Sequence, residues 1–262
     1  MLLAVDIGNS TISTGLFGLD GELRFLASLD TDYRKTADQI CVDLMNLFQL
    51  YHFRYEDVTD SILCSVVPPL NFMMEKALTR LLGKPPVVVG PGVKTGLNIR
   101  IENPAQTGAD LVVGAVAALK LHKPPLILID MGTATTITVL DETGALIGGC
   151  ISPGVRISLD ALTDRTALLP GLQLDQPKAA IGKNTIECMR SGIMLGSACM
   201  LDGMIARFEE ELGKEATVVA TGGIAKFIIP LCRTPMHYEK DLLLKGLNWL
   251  YQENRGLSGK GH

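Results

Sequence analysis

The stretch VDIGNSTISTG, beginning at Val5, returns in altered form as IDMGTATTITV, beginning at Ile129. In both copies an apolar run of strand character ends on an Asp, then one residue, then a Gly, then a short side chain bearing oxygen or amide. Hydroxyl residues follow, Thr11 and Ser13 in the first copy, Thr135 and Thr136 in the second. A second apolar run leads to a turn, DGEL after Leu19 and TGAL after Glu142, and to a third run of strand character. Two copies of strand–DxG–turn–strand–turn–strand about half a chain apart describe a duplicated domain with two phosphate-gripping hairpins. A lone DxG is ordinary hairpin chemistry; the repetition, with hydroxyls at matching places, raises it above that.

A chain of 262 residues with 47% apolar content can hold one large domain or two small ones around a real core. Its formal charge of −4 gives no general attraction for nucleic acid or anionic lipid, and no basic run exceeds a couple of residues. The start, MLLAVDIG, is too short an apolar run for a signal peptide and lacks a basic region before it. No segment reaches the length of a membrane span free of charge or Gly. The expectation is a cytoplasmic protein with no nucleic-acid and no membrane partner. Cys41, Cys64, Cys150, Cys188, Cys199 and Cys232 are scattered, with no CxxC and no His at ligand spacing. They read as buried free thiols in a reducing compartment rather than a metal or redox site. His52, His122 and His237 fall in loop-like or element-end settings and His262 is terminal, so none is expected to be catalytic.

The order of elements follows from periodicity. Three strands run through about Leu29, and TADQICVDLMNLFQLY, from Thr36 to Tyr51, places Ile40, Leu44, Leu47 and Phe48 on one helical face. SILCSVVP reads as a strand closed by Pro68-Pro69, with a helix from about Asn71 to Leu82 and a short buried strand in PPVVVGPG. GADLVVGAVAALKLH, after Thr107, reads as a helix joining the halves. LILID opens a second three-strand set through Cys150, then a helix-rich insertion runs from about Gly154 to Phe208. EATVVATGGIAKFI gives a strand, a glycine turn and a helix start. A terminal helix, about Asp241 to Tyr251, precedes a polar tail, RGLSGKGH, expected to be disordered. The fold class is therefore α/β: duplicated ribonuclease-H-like domains at 1–107 and 108–262, the second with the helical insertion, packed closely around a central cleft.

The chemistry sits in the turns. A tight strand-to-strand turn aims backbone N–H groups at a phosphate, and Gly8 allows close approach. Asn9, Ser10, Thr11 and Ser13 add neutral donors, so the ATP-binding set of this hairpin is Asp6, Ile7, Gly8, Asn9, Ser10, Thr11, Ile12 and Ser13. Asp6 would hold Mg2+, directly or through water, together with phosphate oxygens. In DMGTATT, Gly132 and Thr133 offer the same equipment and Asp130 is poised for a cation. Gly222 and Gly223 in ATGG, after a strand and before a helix, let an adenine ring lie against bare backbone. Neither a Walker loop nor a Rossmann fingerprint is present.

With these strings in place, the chain resembles the acetate-kinase, sugar-kinase, Hsp70 and actin superfamily (the actin-like ATPase fold), and within it the type III pantothenate kinase family. Eight strings in order carry the resemblance: DIGNS at Asp6, SVVPPL at Ser65, ENPAQTGAD ending at Asp110, DMGTATT at Asp130, GGCISPGV at Gly148, IGKNTIECMRSGI at Ile181, ATGG at Ala220 and LLLKGL at Leu242. The resemblance implies ATP-dependent phosphorylation of the primary hydroxyl of pantothenate to 4′-phosphopantothenate, the first step of coenzyme A biosynthesis. Such transfer is mostly positioning and charge stabilisation. By the same resemblance Asp110 is the catalytic carboxylate, and the substrate-binding positions are Ile101, Gly108, Ala109, Asp110, Leu111 and Thr185. Asp130 matches the site of a monovalent cation, K+ or NH4+. Thr185 matches a threonine that reaches the neighbouring subunit's substrate, which implies a homodimer; locally it also looks like a helix N-cap.

Two positions depart from the pattern. The Arg of the family's GADR string, which meets the substrate carboxylate, is Leu111 here, and a Tyr three residues before the Pro of the ENP-like string is Ile101. Leu cannot imitate the paired hydrogen bonds of a guanidinium, a loss on the order of 1.5–3 kcal/mol. Three explanations are open: Arg100 or Arg156 has taken over the carboxylate, the substrate is less anionic, or the chain is a nucleotide-binding paralogue with weak, altered or no pantothenate kinase activity.

Overall fold

The computed structural model describes residues 1–255. The tail expected to be disordered lies outside the described residues from Gly256 on, as does His262. The chain forms two compact units: one comprises 1–96, 105–117 and the chain from Leu242 onward, the other 97–104 and 118–241. This differs from a single cut at 107/108, because the last helix returns to the first unit and the helix after Thr107 is shared. The shared helix is the one read from the sequence as joining the halves; the return of the last helix was not foreseen.

The first unit holds β1 (Leu2–Ile7), β2 (Thr11–Phe17), β3 (Leu23–Asp30), α1 (Ala37–Leu50), β4 (Asp60–Ser65), α2 (Pro68–Leu82), β5 (Val87–Val88), the start of α3 (Ala109–Leu121), and α7 (Leu242–Asn254). Its sheet runs β3-β2-β1-β4-β5, with β1 antiparallel to β2 and parallel to β4. Leu3, Val5 and Ile7 of β1 face the core formed with Ile40, Leu44 and Phe48 of α1 and Met74 and Leu78 of α2. Strand alternation turns Leu2, Ala4 and Asp6 to the other face. Thr36 caps α1 in a reciprocal capping box with Gln39. α2 begins at Pro68, not at Asn71. Proline lacks only an N–H that the first turn leaves unpaired anyway, so Pro68-Pro69 opens the helix, the strand having already ended at Ser65.

The second unit repeats this plan. It holds β6 (Leu126–Met131), β7 (Ala134–Leu140), β8 (Leu146–Pro153), α4 (Val155–Arg165), α5 (Thr185–Leu212), β9 (Thr217–Thr221), the short α6 (Ala225–Ile228) and β10 (His237–Tyr238). Its sheet order, β10-β9-β6-β7-β8, is the first unit's order read from the other edge, with the same strand senses at its centre. Ile127, Ile129 and Met131 pack against Val155, Leu159, Met189, Ile193 and Leu201 of α4 and α5, leaving Asp130 on the opposite face. The duplication legible in the sequence is thus a duplication of topology. The cysteines are less uniform than expected: Cys41 and Cys64 are buried, Cys150 and Cys232 partly so, and Cys188 and Cys199 are exposed; all six are free thiols. Among the described residues no helix is long and apolar enough to cross a membrane.

Candidate active site

Asp6 and Cys64 lie side by side in the parallel β1–β4 register, both on the sheet face turned away from α1 and α2. Cys64 is fully buried, and its thiol donates a hydrogen bond to the Asp6 carboxylate. Burial pushes the thiol well up from its ordinary range, and the charges of Asp6 and Asp110 push it the same way. Asp110 stands in the first turn of α3, remote in sequence from both strands. Two carboxylates about a hundred residues apart in sequence therefore both act on one buried thiol.

Asp110 is half-buried, and the backbone N–H of Leu111 donates to its Oδ1 at 2.8 Å. Burial raises its pKa, against the opposing pull of the backbone N–H groups of Leu111 and Asp110 itself. The carboxylate folds back over Gly108, where a Cβ would meet Oδ1 and push the carboxylate aside. Ala109 and Leu111 are half-buried beside it on the same turn.

In the β1–β2 hairpin, the side chains of Ile7 and Ile12 belong to the core, so these two residues can meet a ligand only through backbone atoms. The Gly8 N–H closes the loop onto Thr11 O at 3.0 Å, so the close approach expected at Gly8 rests on its missing side chain. Asn9, Ser10 and Thr11 are exposed, and Ser13 lies opposite Asp6 in register. The tip carbonyls are all occupied: Gly8 O accepts from Thr31 Oγ1 at 2.7 Å, Asn9 O from Tyr33 Oη at 3.3 Å, and Ser10 O from Thr31 N at 3.2 Å. What the tip offers a ligand is N–H and side-chain donors, which suits an anion.

The β6–β7 hairpin closes in the same way, Gly132 N donating to Ala134 O at 3.0 Å, with Thr136 opposite Asp130 as Ser13 is opposite Asp6. Thr135, predicted as a matching hydroxyl, is turned inward and only 1% exposed, because its loop is one residue shorter. Gly132 is exposed and Thr133 half-buried. Thr133 O accepts from the N–H of Gly154, whose absent side chain lets the β8–α4 corner press on this loop. Sequence reasoning did not count Gly154 among the site residues, although the string GGCISPGV contained it. Gly222 has φ +96°, and a Cβ there would lie 2.5–2.7 Å from backbone atoms of Met131. It seats the β9 turn on the end of β6. Gly223 is exposed and faces open space, as a backbone surface for an aromatic ring would require.

Among the described residues, no group of three or more His, Cys, Asp and Glu side chains could hold a metal ion. Asp130, flanked in register by Thr136 and Thr221, offers only oxygen donors, which suits a hard cation. Arg100 is committed elsewhere: its guanidinium pairs with Asp141 at 3.2 Å, beyond the end of β7 remote from Thr133. Ile101, on the same segment, is half-buried. Thr185 is exposed and is the first residue of α5; the N-cap is Asn184, whose side chain accepts from Glu187 N. The expectation that Thr185 caps the helix is corrected, since the extended backbone a cap needs occurs at Asn184 (φ −150°, ψ 167°).

The family model of type III pantothenate kinase matches residues 2–207. The chain belongs to the type III pantothenate kinase family. A type III pantothenate kinase of Exiguobacterium sp. (strain ATCC BAA-1283 / AT1b) is 43% identical over 255 residues, which cover 97% of this chain and 100% of that protein. Solved structures agree on the fold at much lower identity. A conserved protein of Campylobacter jejuni assigned to the Baf family of transcriptional activators superposes with a TM-score of 0.62 at 17% identity, covering 97% of this chain and 99% of that one. The activator of 2-hydroxyisocaproyl-CoA dehydratase from Clostridium difficile, with bound ADPNP, gives 0.60 at 12% identity, covering 100% and 98%. The α/β architecture of this pantothenate kinase is thus the duplicated actin-like ATPase fold, and family membership makes it a transferase that uses ATP.

Proposed function

We propose that this kinase moves the γ-phosphoryl group of ATP to the primary hydroxyl of pantothenate, the first step towards coenzyme A, with Asp110 as the group that orients the hydroxyl and accepts its proton late. The observation supporting the site assignment is that Asp6 lies beside Cys64 in register and that the charges of both Asp6 and Asp110 act on that thiol. It brings a nucleotide-side carboxylate and a substrate-side carboxylate to the same end of the β1–β4 pair. Asp110, half-buried with a raised pKa, is a better proton acceptor than a solvated carboxylate. Asn9, Ser10, Thr11 and Ser13 of the first hairpin, Gly132 and Thr133 of the second, and the open backbone of Gly223 beside Gly222 hold ATP. Mg2+ bound with the nucleotide at Asp6 supplies neutralising charge to the phosphates. Asp130 holds the monovalent cation. Thr185, exposed and released from capping, acts on the substrate of a second copy in a homodimer.

An assay of ADP release with pantothenate, Mg2+ and potassium decides the matter: turnover supports the assignment, and none at millimolar pantothenate overturns it. Repeating it with sodium in place of potassium tests Asp130, and sedimentation at the mass of one chain would remove the dimer. No observation favours a paralogue lacking the activity.

Leu111 then marks a substrate pocket short of one guanidinium. Leu111→Arg is expected to lower the KM for pantothenate by roughly tenfold or more, the value of one charge-assisted pair, with the KM for ATP unchanged. An unchanged KM for pantothenate would show that the carboxylate is held elsewhere.

A further inference from the structure

The three tip carbonyls of the β1–β2 hairpin all accept from one short segment, the connection between β3 and α1. The register explains why. Thr11 pairs with Asp30, so the chain leaving β3 runs past the hairpin tip, and Thr31 N–H to Ser10 O extends the ladder one step. Thr31 then folds its hydroxyl onto Gly8 O at 2.7 Å, and Tyr33 reaches Asn9 O at 3.3 Å. The connection is itself braced. Asp32 accepts from the N–H and Nε of Arg34, Lys35 N donates to Asp32 O, and Thr36 begins α1 with its capping box. These bonds direct the Asp32 carboxylate onto Arg34, two residues along the connection.

We propose that Thr31, assisted by Tyr33, is a positioning residue for nucleotide binding: it takes up the carbonyl oxygens of the Gly8–Ser10 tip so that a polyphosphate meets donors alone. The inference rests on the assignment of this hairpin to ATP. A carbonyl oxygen freed at the tip carries partial negative charge toward the nucleotide and no longer holds its peptide plane in place. In the second hairpin the Thr133 carbonyl is taken up in a comparable way, by the N–H of Gly154. Each loop thus has a carbonyl taken up, by a side-chain strap in the first and by a close-packed glycine corner in the second. Pantothenate, which carries one carboxylate and no phosphate, would not feel the change at this tip.

The test compares Thr31→Val, Thr31→Ser and Tyr33→Phe with the parent in the full-length protein. Valine keeps the shape and the Thr31 N–H but loses the hydroxyl. Mg-ATP binding measured by calorimetry is expected to weaken roughly five- to tenfold in Thr31→Val, about the worth of one hydrogen bond. Serine should restore it to within about twofold, and Tyr33→Phe should fall between. In steady-state kinetics the KM for ATP should rise in parallel while that for pantothenate stays put. Thr31→Val binding Mg-ATP as tightly as the parent would overturn the proposal, as would equal losses for both substrates accompanied by a lower melting temperature. A parent protein that takes up no ATP would instead overturn the assignment of the hairpin, and this inference with it.

Discussion

Replacing Asp110 by Asn should cut turnover by about 10²- to 10⁴-fold, the usual range when a proton acceptor is lost, while leaving the folded protein no less stable at neutral pH. The second half follows from the direction of the pKa. Burial places the Asp110 carboxyl above its ordinary value even though the Leu111 N–H favours the charged form. Between the unfolded pKa and the raised folded one, the native state binds more protons than the unfolded state, so stability falls as pH rises through that window. At neutral pH the charged carboxylate is therefore a net burden on the fold, lessened by its place at a helix N-terminus. Asparagine keeps an oxygen for the Leu111 N–H and removes the charge. Melting curves of parent and variant should coincide at low pH and separate in the variant's favour above the raised pKa. Catalysis needs the ionised form, so the acid limb of the parent's pH–rate profile should lie above that of an ordinary solvated carboxylate. A variant that loses turnover and stability together would make Asp110 a structural cap.

Asp110 also shows how far the sequence could be read. Its string was recognisable, as were both DxG hairpins, because alternation and repetition are local patterns that survive without the fold. The capping box at Thr36 and the buried face of α1 are equally local. What stayed hidden depends on distant pairing. Cys64 looked like one of six scattered thiols, and only the parallel register of β1 with β4, together with the approach of α3, sets it between two carboxylates. Nothing in the sequence singled out Thr31 and Tyr33; their contacts with the hairpin tip follow only once β3 is laid beside β2. Asn184 and Thr185 are both good caps by type, and backbone angles decide between them. The return of α7 to the first unit has no sequence mark beyond the string LLLKGL. Gly246 within it lets α7 approach α3, since a Cβ there would stand 2.6 Å from Val113 O.

The adjacent glycines of the ATGG turn separate structural need from ligand need. At Gly222 an alanine would hold a positive φ, costing roughly 1–2 kcal/mol in an L residue, and would press its Cβ on Met131 backbone atoms 2.5–2.7 Å away. Backbone cannot yield by changing rotamer, so overpacking adds about 1–3 kcal/mol more. Gly222→Ala should therefore destabilise by about 2–5 kcal/mol, lowering the melting temperature by roughly 5–20 °C. Because Met131 directly precedes Gly132 and Thr133, the strain falls on the second hairpin, and ATP affinity should drop with stability. Gly223→Ala makes the contrasting case. Its Cβ would enter open space, so the melting temperature should hardly move. If an adenine ring lies against that bare backbone, the KM for ATP should still rise, since a methyl group would stand where the ring packs. Thermal melts with and without Mg-ATP on the two variants distinguish the roles. A Gly223→Ala protein with parental ATP affinity would take the ring off this turn, leaving Gly222 as the hinge-point of packing it is in the free protein.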